Sequence, residues 1–104
     1  MTRLVQFKFK PAGKDIWLSW AEELKRRKEE VIATLKDEGV VSEACFMAPD
    51  GESVFYFMES KDFEKVADMA AQSGHTIDVE HKKAREQSLE FVAELTCLFN
   101  FENR

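Results

Sequence analysis

The sequence predicts an α+β domain: a split β-α-β repeat folded as a four-stranded antiparallel sheet with helices on one face. Three observations predict it. Segments 4–9 and 91–101 alternate apolar and more polar residues, as half-buried strands do. Two further strand-like runs, 40–47 and 53–59, flank the turn Ala48-Pro-Asp-Gly-Glu52. Between these lie regions whose apolar residues recur at helical spacing. A chain of 104 residues can bury one core and not two, so residues 1–104 read as a single domain.

The first strand places Val5, Phe7 and Phe9 on one face and Gln6 and Lys8 on the other. Lys10-Pro-Ala-Gly-Lys14 interrupts it. One long helix is then predicted from about Lys14 to Glu38, with Trp17, Trp20, Ala21, Leu24, Val31, Ile32 and Leu35 as its apolar stripe. Lys28 falls within that stripe, where its hydrocarbon stem can cover apolar surface while the ammonium reaches water. Gly39 ends the helix. After the hairpin, Ser60 is a candidate N-cap and Asp62 suits the positive end of the next helix, whose apolar set is Phe63, Val66, Ala67 and Ala70. Gly74 closes it. Thr76 can cap a further helix to about Leu89, and Phe91 to Phe101 reads as a long last strand. Helices on one face leave the other sheet face open. In a chain with nine phenylalanines, a second copy is the expected cover.

Composition narrows the function. A formal charge of −5 argues against a nucleic-acid surface, and the aromatic third strand lacks the basic partners of an RNA-binding sheet. The basic run Lys25 to Lys28 is preceded by Glu22 and Glu23 and followed by Glu29 and Glu30, a self-paired solvated helix face. No signal-peptide pattern and no membrane-length apolar stretch is present, so the expected location is cytoplasmic. Cys45 and Cys97 form no CxxC pair and fall on strands at opposite edges of such a sheet; buried, reduced, unjoined thiols are expected. There is no glycine-rich phosphate loop, no GxSxG and no internal repeat.

Two constellations carry candidate chemistry. The only histidines, His75 and His81, flank Asp78 in a seven-residue span. A carboxylate beside an imidazole can fix its tautomer or hold its proton, so His75, Asp78 and His81 are the candidate catalytic group, with His81 and Asp78 one helical turn apart. Two imidazoles and one carboxylate are also a metal ligand set, although the spacing is unlike the i,i+4 pair of HExxH. The structural alternative has Asp78 serving the helix N-terminus and pairing with Lys82, with His81 packed on the sheet. The second constellation is Lys8 on the open sheet face, joined by Glu43 and Tyr56 if the register allows: candidate ligand-binding residues, or polar groups pairing across a dimer interface.

Several of these residues also carry a resemblance. The run Phe7-Lys8-Phe9-Lys10-Pro11, Gly13-Lys14, Trp20, Leu24, Arg27, Glu30, Thr34-Leu35, Glu38-Gly39, Glu43 and Phe46, with His75-x-Ile77-Asp78-x-x-His81, resembles a family of small bacterial proteins known as a domain of unknown function. That family in turn is similar to the dimeric α/β-barrel superfamily. The resemblance implies a ferredoxin-like subunit and a homodimer whose sheets face each other. It brings no substrate: the wider superfamily includes cofactor-independent monooxygenases, sugar mutarotases, haem-dependent enzymes and plain ligand-binding modules, and a shared fold does not set activity. Ala12 separates Pro11 from Gly13 where the family is expected to run Pro-Gly, and Thr76 stands where a proline is expected.

The expectation is therefore a cytoplasmic homodimer with a small-molecule pocket, no cofactor, and no nucleic-acid or membrane partner. Two alternatives stand beside it: a cofactor-independent monooxygenase- or mutarotase-like enzyme using the His/Asp group, and a purely structural or protein-interaction dimer.

Overall fold

The computed structural model describes residues 1–103. The order is β1 (Thr2–Phe9), α1 (Gly13–Arg26), α2 (Lys28–Glu38), β2 (Val40–Met47), β3 (Ser53–Ser60), α3 (Phe63–Ala71), α4 (Thr76–Ser88) and β4 (Leu89–Leu95). The strands form one antiparallel sheet in the order β2-β3-β1-β4.

Val5, Phe7 and Phe9 share one face of β1, as the sequence predicts, and that face is the helical side; Phe7 and Phe9 pack against the buried Trp17, Val54, Ala84 and Leu89. In β3, Val54 and Tyr56 share that side. A second buried group, Leu35, Val40 and Val66, ties α2 to β2 and α3. Fully burying side chains of this size is worth about 1.5–3 kcal/mol each, so these two groups hold the helices on the sheet.

The predicted long helix is two helices. Arg27 leaves the helical path, with φ −108° and ψ 34°, and its guanidinium binds Glu30 on α2 and Glu80 on α4. The break re-phases the helical turns beyond it. Ile32, a member of the predicted stripe, is 40% exposed, whereas the polar Thr34 is 5% exposed. The inner face of α2 thus becomes Val31, Thr34, Leu35 and Glu38, an i, i+3, i+4, i+7 set. Lys28, at the start of α2, is exposed. Gly39 closes α2 at φ 77°, the left-handed cap that glycine adopts without a Cβ clash. Ala12 adopts φ 62° just before α1, a conformation that costs a residue with a Cβ about 1–2 kcal/mol.

Three further boundaries differ from expectation. Asp62, not Ser60, caps α3 by accepting from the Lys65 amide at 3.1 Å; Ser60 ends β3 and its hydroxyl donates to the Gly39 carbonyl at 2.8 Å. Thr76 is the first residue of α4 and His75 holds the cap position without a side-chain cap bond. The last strand stops at Leu95, whose partner Leu4 lies two residues from the start of β1. Beyond it Leu98, Phe99 and Phe101 are each at least 74% exposed. The cysteines are free, as expected, but exposed rather than buried. No helix among the described residues is long and apolar enough to cross a membrane.

Candidate functional site

A cavity of about 350 Å³ lies between the helical side of the sheet and helices α2, α3 and α4. Its walls are mostly apolar, with Val5 and Met58 from the sheet, Val31 and Leu35 from α2, Val66 from α3 and Ile77 from α4. Its polar groups are Glu43 and Tyr56 from the sheet, Thr34 and Glu38 from α2, and Asp78, His81, Lys82 and Arg85 from α4, with Arg3 also lining it. Apolar walls with a few convergent polar groups, in a space of about 300–1,000 Å³, are the usual make-up of a ligand pocket.

The sheet register decides which predicted residues meet. Glu43 pairs with Met58 and Cys45 with Tyr56, so Glu43 and Tyr56 rise on the helical side, one pleat apart. The Tyr56 hydroxyl donates to Glu43 Oε1, and Tyr56 Oη also lies 3.1 Å from His81 Nε2. The Trp20 indole N–H donates to His81 Nδ1 at 2.8 Å. The imidazole is enclosed by the rings of Trp17, Trp20 and Tyr56, with centroid separations of 5.7, 6.0 and 6.0 Å. Lys8 does not join them. It lies on the other sheet face, where it pairs with Glu90 at 3.4 Å, because its place in the β1 alternation is opposite to that of Phe7.

The His75, Asp78 and His81 group likewise divides. His81 turns inward to Trp20 and Tyr56 and not to Asp78. Asp78 Oδ2 accepts from Thr34 Oγ1 at 2.5 Å and from the Ser73 hydroxyl, rather than pairing with Lys82. His75 Nε2 contacts Asp37 at 2.6 Å, and neither residue lines the cavity. Side chains three apart on a helix share a face, but His75 precedes α4 and points toward the end of α2. Among the described residues no three of His, Cys, Asp and Glu come together to hold a metal ion.

Electrostatics follow burial. Loss of water pushes the Glu43 carboxyl up to about 7, with repulsion from Glu38 and Asp78 adding to it and Arg85 opposing. Glu38 is also raised, by burial first and by Asp78 second. Burial pushes His81 down to about 4, helped by Arg85 and opposed by Asp78. His75 moves the other way, raised chiefly by its hydrogen bond to Asp37. A carboxyl that titrates near neutrality suits proton transfer; an imidazole that stays neutral suits hydrogen bonding.

Sequence reasoning missed Trp20, Thr34, Glu38 and Arg85 as site residues. Trp20 carried a signal, since an indole on an apolar stripe still needs an acceptor for its N–H. Thr34 lies off the apolar stripe of an unbroken helix and Glu38, five full turns after Trp20, lies in its direction; both stand only among the residues of the family resemblance.

Sheet, helices and cavity together define a small α+β domain with an internal ligand-sized chamber and a buried carboxyl at its polar end. The chain belongs to the family of unknown function DUF6176, which matches residues 1–102. Among solved structures it is similar to PA3566 from Pseudomonas aeruginosa, with 14% identity, a TM-score of 0.56, and coverage of 94% of this chain and 93% of that one. At that identity the likeness speaks for the fold alone. No curated protein matches the chain in sequence.

Proposed function

We propose that this protein binds a small, largely apolar molecule in the cavity beneath α2 and α4, with Glu43 as the group that exchanges a proton with it. The observation that carries this reading is a carboxyl held near neutrality by burial, hydrogen-bonded to Tyr56 and facing an apolar-walled chamber. Asp78 and His81 serve as cavity residues in this reading, and His75 stands outside it. The test is a metabolite-library screen by ligand-observed NMR on wild type and Glu43→Gln. Hits that wild type binds and the variant loses support the reading. A library without hits, or hits indifferent to the substitution, would sink it.

The same reading takes the chain to act as a ferredoxin-like subunit of a cytoplasmic homodimer. The sheet face away from the helices carries Leu4, Phe55 and Phe57, and Phe46 on that face is 60% exposed. Two free thiols fit a reducing compartment. Sedimentation equilibrium should give twice the 12.0 kDa chain mass at micromolar concentration; a clean monomer counts decisively against the dimer.

A further inference from the structure

We infer that Trp20 is a positioning residue that locks His81 in its neutral form with the hydrogen on Nε2. The lock orients the row His81–Tyr56–Glu43 in one direction, so the site takes ligands that bring a hydroxyl or N–H of their own. The ligand class rests on the pocket reading above; the lock does not.

The direction comes from counting hydrogens. An indole nitrogen can only donate, so His81 Nδ1, 2.8 Å from Trp20 Nε1, must present its lone pair. A neutral imidazole has one N–H, which therefore sits on Nε2. An imidazolium would aim a second N–H at the indole N–H and lose that bond. Nε2–H then donates to Tyr56 Oη at 3.1 Å, and the Tyr56 hydroxyl hydrogen is committed to Glu43 Oε1. Both ring nitrogens of His81 are used. An ionised Glu43 therefore offers the cavity only lone pairs: its second oxygen, and the one left on Tyr56. His81 is then neither base nor acid; it is a fixed donor that steadies the phenol oxygen while Glu43 accepts. Charged and titratable groups packed around this row are Glu38 from α2, Asp78, Lys82 and Arg85 from α4, Arg3 from β1 and Cys45 from β2. None of them is a hydrogen-bond partner of the His81 ring.

Long-range ¹H–¹⁵N correlation spectra of histidine-labelled protein read the lock directly, with His75→Gln assigning the two rings. Wild type should show His81 as the pure Nε2–H tautomer, unchanged from pH 8 to pH 5.5. Trp20→Phe should give a mixture of the Nδ1–H and Nε2–H tautomers. An Nδ1–H form or an imidazolium of His81 in wild type at pH 7 would overturn the inference, and apart from the His75→Gln assignment this measurement needs no variant to fold. Tyr56→Phe, which keeps the indole bond, should retain the wild-type tautomer; loss of it there would assign the lock to Tyr56 instead and overturn the role of Trp20.

The ligand class is read with 2-naphthol, its methyl ether and 2-naphthoate at pH 8. The naphthol should bind at least tenfold more tightly than the other two, and the preference should vanish in Glu43→Gln, whose amide turns donors toward the cavity. Equal binding of naphthol and ether overturns the ligand class alone. Binding of none overturns the pocket reading with it, while the tautomer measurement still judges the lock.

Discussion

Glu43→Gln is expected to leave stability nearly unchanged at pH 5 and to raise it by about 2–3 kcal/mol at pH 9. In the folded protein the Glu43 carboxyl titrates at about 7, against an ordinary value of 4.5. The folded state therefore holds this proton more tightly than the unfolded chain does. The stability that this provides is complete below 4.5 and is lost as pH rises through 7, because ionisation leaves a largely desolvated charge repelled by Glu38 and Asp78. Glutamine keeps an acceptor for the Tyr56 hydroxyl and never ionises. Each kcal/mol moves the melting temperature of a domain of this size by about 4–8 °C, so the variant should melt about 10 °C or more above wild type at pH 9. His81 works in the opposite sense: with its value at about 4 rather than 6.5, its contribution is intact above 6.5 and lost as pH falls through 4. Both proteins share that loss, so it cancels in the comparison. Thermal melts of the pair at pH 5 and pH 9 decide the matter, and a variant no more stable than wild type at pH 9 contradicts the buried-charge account.

Gly13→Ala is expected to destabilise the protein by about 2–4 kcal/mol, at and beyond the upper part of the range for overpacking. A Cβ on Gly13 would lie 2.4 Å from the Ser88 carbonyl oxygen and 2.9 Å from Ser88 Cα, all backbone. That carbonyl is already held by the Lys10 amide at 2.8 Å, and the Gly13 amide donates to the Lys10 carbonyl at 2.8 Å. Neither side can retreat without breaking the seam where α1 begins against the α4–β4 junction. Gly74→Ala is the control, since its Cβ would meet nothing within 4 Å. Urea unfolding of both variants measures the contrast; a Gly13→Ala protein within about 0.5 kcal/mol of wild type would show that the close approach is absent.

Legibility in the sequence divides by range. The faces of β1 and the placing of the hairpin were legible, because period-2 alternation is local. The end of β4 was not: alternation runs on to Phe101, but β1 has only two residues beyond Leu4, the partner of Leu95, so a strand reaching Phe101 would have no neighbour to pair with. The break at Arg27 has no glycine or proline to announce it; the side chain reaches Glu80, 53 residues on. Proximity in sequence suggested His75, Asp78 and His81 as one group, whereas their partners come from elsewhere: Asp37, Thr34 and Trp20. Glu43 and Tyr56 were candidates whose meeting depended on register, and register brought them together while leaving Lys8 outside.

The enclosure of His81 has an optical consequence. The chain contains two tryptophans, and both rings lie against this one imidazole. Indole emission from the whole protein therefore originates within a single neighbourhood, with no distant tryptophan to dilute it. Neither indole lines the chamber, but Trp20 is hydrogen-bonded to His81 and Trp17 packs on it, so a change at that imidazole reaches both indoles. The protein thus carries its own fluorophore pair against His81, and its intrinsic emission reports on that imidazole without a label.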